Sequence, residues 1–294
     1  MRYFIENSEL KVETDSFGAE LKSVLSKDNF REYMWYGNGK YWGRTSPVLF
    51  PFVGSLKDKR YIWKGRSFPM GQHGFARDTE FTLKSVTDDA LSFIMRSDAK
   101  TLEKYPFDFE LEIVYTLLGR ELNIRWIVRN IGDKTMHFSI GAHPAFLCPV
   151  HGEDSKEGYR LIFKGADEIR HYGNAAGTGL ALNEDIKLPL ADGAAVITRD
   201  FFDRATYIIE GQKTDDITLA DREGKPIVSV CSDAPVVGIW SPEGKNAPFV
   251  CIEPWYGRCD AEDFNGELDE RAFSNALAPG GVFDVSYTVK YWKL

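Results

Sequence analysis

The sequence predicts an all-β fold, one large and mostly antiparallel β structure with a few short helices. Three observations carry that reading. Apolar and polar residues alternate with a period of two, most cleanly where Phe283, Val285, Tyr287, Val289 and Tyr291 interleave with Asp284, Ser286, Thr288 and Lys290. Such a pattern turns one face to a core and the other to water. Strand-like runs never alternate with helical runs at the spacing a parallel βαβ sheet requires. The third observation is composition: 7 Trp, 13 Tyr and 20 Phe in 294 residues, with 43% hydrophobic and 27% charged residues. That supplies a large core and excludes a disordered chain.

The elements follow in chain order. Residues 10–14 and 91–95 are β-rich. Residues 97–104 begin with a capping serine and aspartate and stop before Pro106, as a connector of one or two helical turns does. Residues 109–117 and 122–128 alternate in phase around Gly119, which reads as a hairpin. Further β-rich pieces lie at 159–163, 207–210 and 227–231; residues 267–273 form a second short helical candidate. No repeat or low-complexity linker breaks the chain, so 1–294 is expected to be one domain, with the glycine-rich stretch 173–179 a flexible loop inside it.

Several function classes are excluded. With 36 basic against 44 acidic residues the net charge is −8, which disfavours nucleic acid and anionic membranes. No apolar run approaches the ~18 residues that span a bilayer, and the N-terminal residues lack a secretory pattern, so a cytoplasmic protein is expected. The four cysteines (148, 231, 251, 259) form no CxxC pair and read as small apolar residues. No phosphate loop and no G-x-S-x-G elbow is present. The five histidines show neither HxH nor HExxH spacing, so neither metal nor cofactor is expected.

Three segments place ionisable groups in apolar, turn-bounded surroundings. In Gln72-His73-Gly74-Phe75-Ala76-Arg77-Asp78, glycines at 71 and 74 let the chain bend sharply around His73. In Ser139-Ile140-Gly141-Ala142-His143-Pro144-Ala145-Phe146, Pro144 biases His143 toward extended backbone at a strand end. In Phe249-Val250-Cys251-Ile252-Glu253-Pro254-Trp255-Tyr256-Gly257, alternation puts Glu253 on the face of Cys251, a carboxylate among apolar neighbours. Either histidine alone reads more simply as a turn or core residue. Together with the carboxylate they supply an acid and a base beside aromatic faces, chemistry suited to proton transfer on a neutral polyol.

These segments resemble the aldose 1-epimerase (mutarotase) family, in particular its bacterial branch of mutarotase-like proteins encoded with lactose and galactose genes. The resemblance runs from Tyr41-Trp42-Gly43-Arg44-Thr45-Ser46-Pro47 through His73-Gly74-Phe75-Ala76-Arg77 and His143-Pro144-Ala145-Phe146 to Cys251-Ile252-Glu253-Pro254-Trp255-Tyr256-Gly257. It implies a large antiparallel β-sandwich of the galactose mutarotase-like type with an open groove on one sheet. It further implies His143 as general acid, Glu253 as general base, and His73, Arg77 and Arg44 as substrate-binding residues. The family's substrate-binding aspartate is hard to place; Asp203 is the candidate. Ser55 stands where many members carry arginine after Gly54, which leaves the choice of sugar open.

The implied reaction is interconversion of α and β hexose anomers by acid/base ring opening and closure. Hexose-6-phosphate 1-epimerase and a non-catalytic sugar-binding protein are the alternatives. The expected partner is a small-molecule sugar, neutral or phosphorylated, bound by a monomer or homodimer.

Overall fold

The computed structural model describes residues 1–203, 206–212 and 214–294 and is built almost wholly of antiparallel strands. A nine-stranded sheet has the spatial order Ala194–Val196, Arg160–Phe163, Asp216–Ala220, Pro226–Ser232, Val282–Tyr291, Glu121–Asn130, Phe109–Leu118, Ala90–Arg96, Thr82–Val86. Its centre is the hairpin read from the sequence: Leu122 faces Leu117 and Val128 faces Leu111 across the turn at Gly119. The C-terminal strand pairs with the hairpin's second arm, Trp126 opposite Val285.

The second sheet runs Ala181–Leu188, Ile169–Asn174, Tyr207–Glu210, Val236–Trp240, Phe249–Tyr256, Ile140–Ala142, Val48–Leu49. Ala145–Leu147 also pairs with Phe249–Tyr256. The two sheets share one apolar core. Leu111, Ile113, Trp126 and Tyr287 from the first meet Val237, Ile239, Val250 and Ile252 from the second, and the rings of Trp126 and Tyr256 lie 6.4 Å apart across it. This is the predicted β-sandwich. A smaller three-stranded sheet, Arg2–Glu6, Leu10–Asp15 and Glu20–Ser26, adds the N-terminus.

Helices are as sparse as expected. The connector forms Ala99–Lys104, capped by Asp98 in a capping box with Thr101. The second candidate is shorter than expected, a single 3-10 turn at Leu268–Glu270 that buries Leu268. No helix among the described residues is long and apolar enough to cross a membrane.

Candidate active site

The strand Phe249–Tyr256 is apolar on both faces, and both faces are covered. Val250 and Ile252 enter the sandwich core. Phe249 and Cys251 point the other way, into a cluster with Trp35, Ala145 and Ala247. By period-two alternation Glu253 shares that outward face, and only 1% of it is exposed.

The register then places His143. Gly141 pairs with Trp255 and Ala145 with Cys251. Four residues separate each pair on both strands, so His143 stands opposite Glu253. Pro144, which has no N–H to give the ladder, falls in the gap between the two short pairings. Nδ1 of His143 comes within 3.3 Å of Oε1 of Glu253, at an angle that does not make a hydrogen bond. On the other flank Glu253 pairs with Gly238, and no side chain crowds the carboxylate there. A Cβ at Gly238 or Gly141 would meet the Trp255 ring at 2.5 or 2.7 Å, so the two glycines seat the indole beside Glu253.

Aromatic rings hold the imidazole. Trp42 stacks on His143 with centroids 4.6 Å apart, and Trp240 meets it edge-on at 5.2 Å. The segment carrying Trp42 is tied down by buried Glu20, whose carboxylate accepts from the backbone N–H groups of Thr45 (2.7 Å) and Ser46 (2.9 Å). His73 adopts a positive φ of 66°, while Gly74 sits where a Cβ would run 2.3 Å from the Phe50 carbonyl. Nδ1 of His73 accepts from the Gly54 N–H at 3.0 Å, which fixes its remaining proton on Nε2.

Burial dominates the electrostatics. It pushes the Glu253 carboxyl well above the usual range, offset only in part by the Trp255 indole N–H. It pushes His143 down to about 3, with the Arg77 charge adding to the effect. His73 is held neutral by burial and by the neighbouring cationic groups.

These residues wall a cleft of ≈ 300 Å³ together with Gln72, Asn174 and Thr206. Larger cavities open elsewhere, but the polar atoms single this one out. Among the described residues, eleven buried side-chain polar atoms lack a hydrogen-bond partner, and six belong to cleft residues Arg77, His143, Asn174, Glu253 and Trp255. Buried polar groups are ordinarily paired. Such a concentration marks a surface shaped for a polar ligand.

Of the six site residues expected from the sequence, the structure brings together His143, Glu253, His73 and Arg77. Arg44 lies outside the cleft. Its guanidinium pairs with Asp78 at 2.8 Å, and it lines an adjoining groove with Trp42. Asp203 is also elsewhere, in a separate cavity with Lys156 and Asn246. Trp240 and Asn174 also line the cleft and carry no signal of that role in the sequence: the first closes an apolar strand just before Ser241-Pro242, and the second lies in the glycine-rich stretch 173–179.

Comparison with known proteins gives concordant findings. The family model described as aldose 1-epimerase matches residues 1–280. The chromosomal protein LacX of Lactococcus lactis subsp. lactis is 30% identical, the match covering 97% of each chain. A galactose mutarotase related enzyme from Lactobacillus acidophilus superposes with a TM-score of 0.94 at 34% identity, over 100% of this chain and 98% of that one. A galactose mutarotase-like protein from Lactobacillus casei ATCC 334 gives a TM-score of 0.93 at 29% identity, over 99% and 100%.

Proposed function

This chain belongs to the aldose 1-epimerase family, and from that premise we propose that it interconverts the α and β anomers of a hexose by acid/base ring opening and closure. The observation that carries the reading is the pairing of His143 with Glu253, 3.3 Å apart, in a cleft lined with unpartnered polar atoms.

Opening the ring requires a proton to leave the C1 hydroxyl and another to reach the ring oxygen. Both oxygens are bonded to C1, so the two protein groups must lie side by side. Glu253 accepts the first proton; His143, as imidazolium, donates the second. The C1–O5 bond breaks, the aldehyde turns, and closure on its other face returns both protons. No net proton is consumed.

Burial favours the neutral carboxyl and the neutral imidazole. That state holds the same single proton as the imidazolium–carboxylate pair. A sugar hydroxyl donating to Glu253, whose oxygens have no donor, stabilises the charged carboxylate, and the stacked Trp42 face favours the imidazolium. Each positioned group contributes ~10²–10⁴-fold, and fixing the sugar between them contributes more.

A second reading, a hexose 6-phosphate as substrate, has one specific support. Arg77 lines the cleft and its Nε is buried without a hydrogen-bond partner; guanidinium geometry suits phosphate oxygens. Exchange NMR between anomers of galactose, glucose and glucose 6-phosphate tests both readings. Acceleration of neutral sugars supports the first, and of the phosphate alone the second. Calorimetric binding without acceleration of any of them would leave a sugar-binding protein instead.

A further inference from the structure

Cys251 takes part in no step above, yet its sulfur completes a buried three-donor cluster with the acid/base pair. Sγ of Cys251, a ring nitrogen of His143 and a carboxylate oxygen of Glu253 all lie within 4.8 Å of one another, and all three residues are buried. The backbone explains the grouping. Positions 251 and 253 project from one face of the same strand, and His143 stands across from 253. A second observation is independent of proximity: Nδ1 of His143 and both oxygens of Glu253 are buried with no hydrogen-bond partner. These atoms face one another, and the nearby Trp255 indole N–H does not complete a hydrogen bond to them.

One sulfur, one nitrogen and one oxygen donor, with a fourth position open to a cleft, is a donor set that zinc accepts. A single carboxylate beside thiol and imidazole is poorly suited to Mg²⁺ or Ca²⁺, which demand oxygen ligands. We propose that His143, Cys251 and Glu253 form a binding site for a borderline-soft divalent cation of the zinc type, whose occupancy reversibly silences the acid/base pair. Zinc bonds of ~2.0–2.3 Å require the most widely spaced donors to close by roughly an ångström, within reach of side-chain rotation about Glu253 and His143. The thiol proton and the single proton held by the Glu253–His143 pair both pass to solvent as the metal binds. The lone pairs that would handle the sugar's protons are then engaged by the metal. Silencing therefore rests on the proposed anomerisation, whereas binding does not.

The test titrates the metal-free full chain with Zn²⁺ and, as a spectroscopic stand-in, Co²⁺. One equivalent is expected to bind, with Co²⁺ giving tetrahedral d–d bands and a thiolate-to-cobalt charge-transfer band, and with excess Mg²⁺ failing to compete. Cys251→Ala is expected to lose the charge-transfer band. It should also bind Zn²⁺ at least ~10-fold more weakly, a loss that even an outer-shell partner can produce. Cys231→Ala, a change at a partly buried thiol away from the cleft, should leave both unchanged. Zn²⁺ should stop anomer exchange in the wild-type chain, a chelator should restore it, and Cys251→Ala should keep exchanging in the presence of Zn²⁺. Absence of Zn²⁺ binding, or a charge-transfer band that persists in Cys251→Ala, would overturn the site. A wild-type chain that exchanged no anomers would count against the sugar reading alone, since affinities and cobalt spectra judge the metal site separately.

Discussion

If His143 and Glu253 work through one shared proton, removing both should cost no more than removing the more important one. The perturbations are Glu253→Gln, His143→Asn and the double variant. Glu253→Gln keeps the shape of the side chain, His143→Asn keeps a polar group of smaller size, and each removes the ability to exchange a proton. A positioned acid or base supplies ~10²–10⁴-fold, or about 3–5 kcal/mol of barrier, so each variant should slow anomer exchange by that factor. The 3.3 Å contact decides the double variant. Groups that pass one proton between them act as a unit, and effects within such a unit are strongly non-additive. The double variant should therefore fall to the floor set by the worse single change. Stability provides the control. Both Glu253 oxygens are buried without a hydrogen-bond partner, and Glu253→Gln exchanges that carboxyl for a neutral polar group of the same size, so the unfolding midpoint should hold. The assay is two-dimensional exchange NMR of the α and β signals, with chemical denaturation alongside. Near wild-type exchange in either single variant would refute the assignment. A double variant slowed by the product of the two single factors would refute the shared proton.

Four other outcomes are expected. Gly238→Ala places a Cβ 2.5 Å from the Trp255 ring; overpacking of this kind costs ~1–3 kcal/mol, so thermal unfolding should fall and anomer exchange with it, while unchanged exchange would show that the indole's seat is irrelevant. Asp203→Ala should leave exchange untouched, because Asp203 lines a separate cavity. Arg77→Met should raise KM for a hexose 6-phosphate by ~10–100-fold, the worth of one hydrogen bond to a charged group, and spare neutral sugars; steady-state rates on both substrates check this pair. Lys156→Met should change how stability depends on pH. Burial lowers the Lys156 ammonium from 10.5 to about 8, so the folded state releases its proton before the unfolded chain does. The cost of burying the charge is fully present below about 8 and is relieved as pH rises toward 10.5, by up to ~3 kcal/mol. Urea unfolding at pH 7 and pH 10 should show this rise in the wild-type chain and a smaller one in the variant; parallel curves would refute it.

Much of the fold was legible because its long strands are solvated on one face. Alternation at 122–128 and 283–291 located two central strands of the nine-stranded sheet, and the observed strands extend those readings by a few residues at most. The second sheet was harder. Ala181–Leu188 carries Asn183, Glu184 and Asp185 in succession, a polar run that no periodicity argument assigns to a strand. Val48–Leu49, Ile140–Ala142 and Ala145–Leu147 are two or three residues long, too short for any period to register. Those short pieces flank the cleft. The part of the fold that positions the chemistry is therefore the part least able to announce itself by pattern.

The site residues were legible for the opposite reason: they violate the pattern around them. Glu253 could be singled out because a carboxylate interrupts an apolar run, and His143 because a proline follows it. What the sequence could not supply was their distance apart along the chain turned into adjacency in space. That comes from register. Gly141 opposite Trp255 and Ala145 opposite Cys251 leave His143 no place but across from Glu253. A change of one residue in the length of either intervening segment would move the histidine to the sandwich core. Arg44 and Asp203 show the converse. Arg44 is close to the cleft in sequence terms, two residues beyond Trp42, yet Asp78 draws its guanidinium into the neighbouring groove. Asp203 had no pattern violation to recommend it, only its residue type. A residue that breaks a local rule has a reason to be where it is; one chosen to complete an expected set does not.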